Sequence, residues 1–258
     1  GAASGLDSLE ASLELWLDAS NINGLNNSGL SNGDSISKWI DLSGRGAHAE
    51  RTSLGSDPIY DASTSILTFN EGQFQGDFAN SISGEQTYIA VVKNRSADGI
   101  SGVIVHSGYA GIFAQRQEYY ILDGGGANGS NSSNTQSASN EWVIIIGQYS
   151  QNNTNGSKVF MNGELIENYT GSGVYLNNSS TFQVGGRTWQ NHNSRLFTGD
   201  IAEVMVVNDE LTDAQRIETF YYLSKKWGLT DTVDSDGDGV VDASDDYPLN
   251  PLISSDVT

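Results

Sequence analysis

The sequence predicts an all-β fold, a two-sheet antiparallel sandwich with a single helix near the C-terminus. Three observations carry that reading. Through the first 210 residues, apolar and polar side chains alternate with period two in short runs bounded by Gly, Asn, Asp and Ser, the pattern of half-buried strands. An Asn162-Gly163 pair separates two such runs and supplies the positive φ angles that a two-residue hairpin turn requires. After residue 211 the period changes: Thr212-Asp-Ala-Gln215 is a capping box, Ile217, Phe220, Tyr221 and Trp227 recur at helical spacing, and Gly228 stops the helix.

Strands are expected at 13–18, 88–92, 101–105, 117–122, 142–146, 158–161, 165–169, 181–185 and 201–207, with the helix laying its aromatic side on one end of the sandwich. Trp39, Asp41, Ser43 and Gly44 read as a turn whose carboxylate caps backbone amides while the indole fills the core. Gly199-Asp200 reads as a turn ahead of the last strand, and Glu203 as a residue facing away from Ala202 and Val204. The run 124–140, almost wholly Gly, Ser, Asn and Ala, buries nothing and is expected as a surface loop.

Past the helix the chemistry becomes specific. Asp234-Ser-Asp236-Gly-Asp238-Gly239-Val240-Val-Asp242-Ala-Ser-Asp245 puts carboxylates at positions 1, 3, 5, 9 and 12 of a twelve-residue loop, with glycine at position 6. Calcium, a hard cation with six to eight oxygen ligands, is matched by that spacing: side chains from Asp234, Asp236, Asp238, Asp242 and Asp245, and the carbonyl of Val240. Position 12 is Asp rather than Glu, which shortens its reach. Tyr247-Pro-Leu-Asn-Pro251 cannot begin a second helix, so the loop is not a helix-loop-helix sensor.

Composition narrows the setting. The 258 residues hold no cysteine, 32 acidic and 12 basic side chains and a formal net charge of -20, so disulfides play no part and anionic partners such as nucleic acid or an acidic membrane are repelled. Residues 231–258 carry eight acids and no base, which reads as demand for a cation. No apolar run approaches the roughly 20 residues of a membrane span. Residues 1–11, opening Gly-Ala-Ala-Ser, are read as an expression remnant and linker, and the whole as a monomeric module excised from a longer chain.

Candidate ligand-binding residues cluster in one loop, Arg187-Thr-Trp189-Gln-Asn191-His192-Asn193-Ser-Arg195, which combines an aromatic ring, two guanidinium groups and side-chain amides. An aromatic face takes the C–H side of a sugar ring, and planar amides and guanidinium groups bond paired hydroxyls; the same groups suit a peptide carboxylate. Tyr109 joins them as a turn aromatic, while Tyr119 and Tyr120 point to opposite faces. Catalytic residues are not found: the nearest carboxylate pair is Glu14 and Asp18, with Trp16 between them, and His48, His106 and His192 stand in unrelated contexts.

Two resemblances follow from these residues. DSDGDGVVDASDDYPLNP, within 231–251, resembles a thrombospondin type 3 repeat, a calcium-wrapped unit that implies rigidity at a domain joint. The phrases LELWLDASN, KWIDLSGRGAHA, EWVIIIGQYS with SKVFMNGELI, and FTGDIAEVMVVNDELTDAQRIETFYYLSKKWGL, across 12–229, resemble the laminin G-like, concanavalin A-like jelly-roll domains. The resemblance implies two curved sheets and a module that binds carbohydrate or protein. An acidic, cysteine-free, calcium-stiffened chain is also similar to ligand-binding domains of bacterial adhesins, which implies a secreted or cell-surface location and a partner that is a glycan or an exposed peptide or protein terminus. Two other functions stay open here: a domain of a polysaccharide-degrading enzyme, and a spacer without ligand.

Overall fold

The computed structural model of the protein describes residues 6–82, 84–96, 100–107, 110–115, 118–121, 140–150, 157–168, 180–187 and 195–253. Among these, fifteen strands and one α-helix form: β1 (Leu13–Asp18), β2 (Lys38–Trp39), β3 (Ala49–Arg51), β4 (Ile59–Asp61), β5 (Ile66–Gly72), β6 (Phe74–Asp77), β7 (Gln86–Asn94), β8 (Ser101–His106), β9 (Ala110–Gln115), β10 (Glu118–Ile121), β11 (Trp142–Tyr149), β12 (Lys158–Met161), β13 (Glu164–Asn168), β14 (Thr181–Val184), β15 (Phe197–Val207) and α1 (Asp213–Trp227). They build two antiparallel sheets. One runs β13-β12-β11-β7-β15-β5-β4, with β1 also on β15, and the other runs β10-β9-β8-β14-β6-β3-β2. β5 and β1 share one side of β15, the first pairing with Phe197 to Ile201 and the second with Glu203 to Val207.

The sheets face each other over a core that includes Leu15, Leu17, Trp39, Phe69, Phe74, Tyr88, Phe182 and Phe197, all fully buried. Edge-on aromatic contacts link Trp39 to Phe74, Phe74 to Phe69, and Phe69 to Phe197. Trp39 Nε1 donates to the Asp18 carbonyl at 3.1 Å, and the Asp41 carboxylate accepts from the backbone of Trp16, Ser43 and Ala47, so this turn is built as expected.

The eight-stranded sheet is apolar on its other face as well. Cross-strand neighbours alternate: Ala90 and Ile145 point to the inter-sheet core, while Ile89 with Ile146, and Val91 with Ile144, point outward. Helix α1 covers that outer row with Phe220 and Leu223. Both helix ends are as the sequence predicts, Thr212 and Gln215 forming a reciprocal capping box and Gly228 closing the helix at φ 68°. Its location is not: the helix lies across a sheet face rather than at the sandwich end, because β7, β11 and β15 expose a second apolar surface that must be buried.

Other expectations change too. Gly199-Asp200 lies inside β15 rather than in a turn, with Asp200 accepting from Thr68 Oγ1 and pairing with Arg95. Leu6 and Leu9, from the stretch read as a linker, are buried in the outer cluster beside α1. The predicted period-two alternation breaks at a bulge between Ile201 and Glu203, which sets both Ala202 and Glu203 toward the helix. The hairpin turn stands as predicted, Asn162 and Gly163 taking φ 51° and 96°. Among the described residues no helix is long and apolar enough to cross a membrane.

Because α1 is the cover of an apolar face, Phe220→Ala should lower unfolding free energy by about 3–5 kcal/mol in urea titration. A change under about 1 kcal/mol would show that the helix is not needed to close that face.

Candidate functional site

The aspartate loop is docked on the sandwich rather than strung after it. Val233, fully buried, anchors its start in the cluster under α1. Asp234 N donates to the Asn162 carbonyl at 3.1 Å, which seats the loop on the β12–β13 turn so closely that a Cβ on Gly163 would fall 1.6 Å from the Asp234 carbonyl oxygen. The side-chain hydroxyls of Ser224 and Ser235 donate to Asp242 Oδ2 at 2.5 and 2.8 Å, and Ser235 N donates to Oδ1 at 2.8 Å. Asp242 is thereby a peg between loop and helix.

Within the loop the remaining carboxylates converge. Oxygens of Asp234, Asp236 and Asp238 lie within 4.8 Å of one another. Asp234 accepts from Gly237 N and Gly239 N, both at 2.8 Å, with Gly239 at φ 98°. One oxygen each of Asp236, Asp238 and Asp245 is buried with no hydrogen-bond partner, and Asp245 is only 9 % exposed. Burial, together with the charges of Asp238, Asp245 and Asp234 and against the bond from the Asp238 backbone, pushes the Asp236 carboxyl up to about 6. Buried, unpaired carboxylates are costly unless a cation meets them, so the cluster can hold a metal ion and offers it oxygen donors only. Val240 lies half-buried in the same loop, its N–H held by Asp238 Oδ1.

Beside the loop a cleft of about 780 Å³ opens over the β12–β13 end of the sheet, bounded by the start of α1. Lys158, Leu165 and Arg216 line it with Asp234 and Asp236. Sequence reasoning missed this cleft and also the serine clamp on Asp242, since Ser224 stands 18 residues away and only the docked helix brings it near.

Of the predicted ligand loop, Arg187 and Arg195 are described, and Trp189, Asn191, His192 and Asn193 lie outside the described residues, as does Tyr109. Arg187 N donates to the Arg195 carbonyl at 3.2 Å, closing the base of that loop. The Arg187 guanidinium, buried, lies 5.3 Å over the Phe113 ring. The run 124–140 falls outside the described residues except for Asn140. Tyr119 sits in the inter-sheet core.

The buried acids of β1 and β15 have partners. Glu14 accepts from Asn80 Nδ2 at 2.9 Å, whereas Asp18 takes the Lys226 ammonium at 2.6 Å. Glu203 accepts from Trp16 Nε1 at 2.6 Å, Trp227 Nε1 at 2.7 Å and Lys226 Nζ at 2.8 Å. Burial raises the Glu203 carboxyl above its usual range, against the lowering by the Lys226 charge and by the bonds from Lys226 and Trp227. Burial alone would depress Lys226, but the charges of Glu203 and Asp18 outweigh it and raise it. His48 Nδ1 accepts from Asp41 N, and His106 is buried edge-on to Phe78 and 3.3 Å from the Tyr88 hydroxyl.

Lys226→Met should cost about 3–5 kcal/mol by leaving two buried acids without their cation. Glu203, with its opposing charge gone, then carries a folded-state pKa further above the unfolded value. The variant should therefore gain stability as pH falls and lose it as pH rises through that pKa, a dependence read from urea unfolding between pH 5 and 8. A loss independent of pH would contradict this pairing.

Among solved structures, a Trypanosoma rangeli sialidase in complex with 2,3-difluorosialic acid is similar at 16% identity and TM-score 0.56, over 84% of this chain and 33% of that one. A receptor binding domain is similar at 15% identity and TM-score 0.54, over 86% and 53%. A structure of botulinum neurotoxin type C, described for cell entry through interaction with two ganglioside molecules, is similar at 16% identity and TM-score 0.50, over 87% and 52%. These likenesses show the fold; the match spans a third of the sialidase and about half of the other two. No curated protein matches the chain. The sequence profile that does match covers residues 75–215, more than half of the 258, and with the two facing antiparallel sheets it establishes that this chain belongs to the concanavalin A-like lectin/glucanases superfamily, in its laminin G group.

Proposed function

We propose that the chain is a non-catalytic, calcium-dependent binding module for adhesion, part of a larger secreted or surface-anchored bacterial protein, and that it recognises a glycan or an exposed peptide or protein terminus. The three partnerless buried oxygens of Asp236, Asp238 and Asp245 carry the metal half of this reading. An all-oxygen donor set with several carboxylates is the chemistry of calcium. The thrombospondin-like spacing adds to this.

Binding is favoured over catalysis by what the buried acids do. Glu14, Asp18, Asp41, Asp200 and Glu203 each accept from donors that tie strands or helix together. A glycosidase pair needs carboxylates free to meet substrate and water. The glycan option draws on the neighbours, a sialidase bound to a sialic acid derivative and a neurotoxin that engages gangliosides.

Calcium titration by calorimetry should give a saturable site that Asp238→Ala removes. At about 100 times the dissociation constant, calcium should stabilise the native chain by about 2.7 kcal/mol, and the variant should lose that gain. Unchanged uptake by the variant would remove the loop assignment. For the ligand, labelled protein on a mixed array of glycans and free-terminus peptides should bind in millimolar calcium and not in chelator. A blank array under both conditions would favour a spacer.

A further inference from the structure

We propose that a second cleft, between α1 and the N-terminal turn at Asp7–Leu9, is a seat for a neutral sugar residue of a glycan. The inference rests on the binding-module reading and adds a place and a sugar class to its glycan option.

The cleft follows from how α1 is used. Phe220 and Leu223 cover the sheet, and along the flank of the helix Glu218, Tyr221, Tyr222 and Lys225 recur at i, i+3, i+4 and i+7. Asp7 and Ser8 lie against that stripe because Leu6 and Leu9, on either side of them, are buried in the cluster beneath the helix. Ser8 Oγ donates to Glu218 Oε2 at 3.1 Å and Gln215 Nε2 donates to the Ser8 carbonyl at 2.9 Å, which fixes this wall. Leu249 supplies another wall from a turn that the aspartate loop holds, Tyr247 N donating to Asp245 Oδ1 at 2.7 Å and Asn250 N to the Tyr247 carbonyl at 2.8 Å. The space is about 740 Å³, within the roughly 300–1,000 Å³ of small-ligand sites.

Its chemistry suits a polyhydroxyl ligand. Tyr221 and Tyr222, both half-buried, and Leu249, 48 % exposed, turn apolar surface to the cleft for the C–H side of a pyranose. Among the described residues no donor meets Glu218 Oε1 or the Asp7 side-chain oxygens, so these can accept from sugar hydroxyls. Lys225, exposed and held only by a 3.5 Å bond to the Tyr221 hydroxyl, is a donor to the same ligand.

Charge then selects among ligands. Lys226 also lines the cleft, but its ammonium is committed to Asp18 and Glu203, which leaves Asp7 and Glu218 against Lys225 alone and disfavours an anion. An added cation meets the Lys225 and Lys226 ammonium groups, which already lie 5.3 and 5.6 Å from the Tyr221 and Tyr222 ring centres. A neutral sugar meets neither repulsion and uses acceptors and donors together.

The test is an NMR titration of the whole chain in millimolar calcium with cellobiose, lactose and N,N′-diacetylchitobiose, and with methyl β-glucuronide and tetramethylammonium as anionic and cationic probes. Saturable shifts at Ser8, Glu218, Tyr221 and Leu249 are expected with a neutral sugar. Glu218→Gln, losing a charge-assisted hydrogen bond, and Tyr221→Ala, losing apolar contact, should each weaken that binding about tenfold, while Lys38→Gln on the other sheet leaves it intact. Glu218→Gln keeps the shape of the side chain and so remains readable if Tyr221→Ala fails to fold. Tighter binding of the glucuronide or of tetramethylammonium than of every neutral sugar, saturable shifts confined to other residues, or insensitivity to both variants would each overturn the inference. Array glycans that bind both variants as well as the parent chain would overturn the cleft site and leave the glycan reading standing; no sugar bound in titration or on the array would remove both.

Discussion

The eight-stranded sheet has two apolar faces, and covering the second is the constraint on which the rest of the architecture depends. Ile89, Val91, Ile144, Ile146 and Met205 look away from the partner sheet and are all buried. At about 25 cal/mol per Å² of apolar surface removed from water, leaving such a row open would cost more than most domains have in reserve. Helix α1, the Leu6 and Leu9 side chains and Val233 jointly close it. The helix lies where it does because the sheet requires it, and the aspartate loop follows because the chain emerges from the helix C-terminus at Gly228.

That cover is locked by polar contacts as well as by apolar ones. Lys226 at the end of α1 reaches Asp18 of β1 and Glu203 of β15, and the Trp16 and Trp227 indoles donate to the same glutamate. A buried charge cluster of this kind adds little net stability over an apolar equivalent, but it fixes one register of helix on sheet. Register matters here, because the helix end also presents Ser224 to Asp242. The same geometry that closes the sheet therefore sets the position of the aspartate loop, and the loop in turn rests on the β12–β13 turn through Asn162. The aspartate loop thus packs against both the sandwich and the helix.

Legibility in the sequence tracked how local each determinant was. The Asn162-Gly163 turn, the Thr212 cap, Gly228 and the Asp41 turn all depend on a few neighbouring residues, and each is built as the sequence predicts. Strands with clear alternation were visible, but β2 to β6 and β9 were missed: β2, β3 and β4 are only two or three residues long, Asn70-Glu71-Gly72 and Phe74-Gln75-Gly76 break the pattern with polar and glycine residues, and β9 is a run of small and apolar side chains without alternation. The unbroken Val143-Ile144-Ile145-Ile146 run read correctly as a strand, while its further meaning, that both faces are covered, fixes the helix on the sheet face and went unread. Glu203 and Asp200 were misjudged for a related reason, since a bulge and a neighbouring strand's Arg95 decide their surroundings. At the candidate site, the cluster of Asp234, Asp236 and Asp238 was legible from spacing alone, whereas the serine bonds to Asp242 and the cleft with Lys158 and Arg216 arise only from tertiary packing.

The aspartate loop is proposed as a calcium site clamped to the sandwich, with Asp242 bonded to the serines of the clamp. A crystal structure grown in calcium, with the ion located by anomalous scattering, tests it most directly. It should show one ion about 2.3–2.6 Å from oxygens of Asp234, Asp236, Asp238, Asp245 and the Val240 carbonyl, with Asp242 still bonded to Ser224 and Ser235. A loop without an ion, or one in which Asp242 leaves both serines to join the coordination sphere, would contradict it.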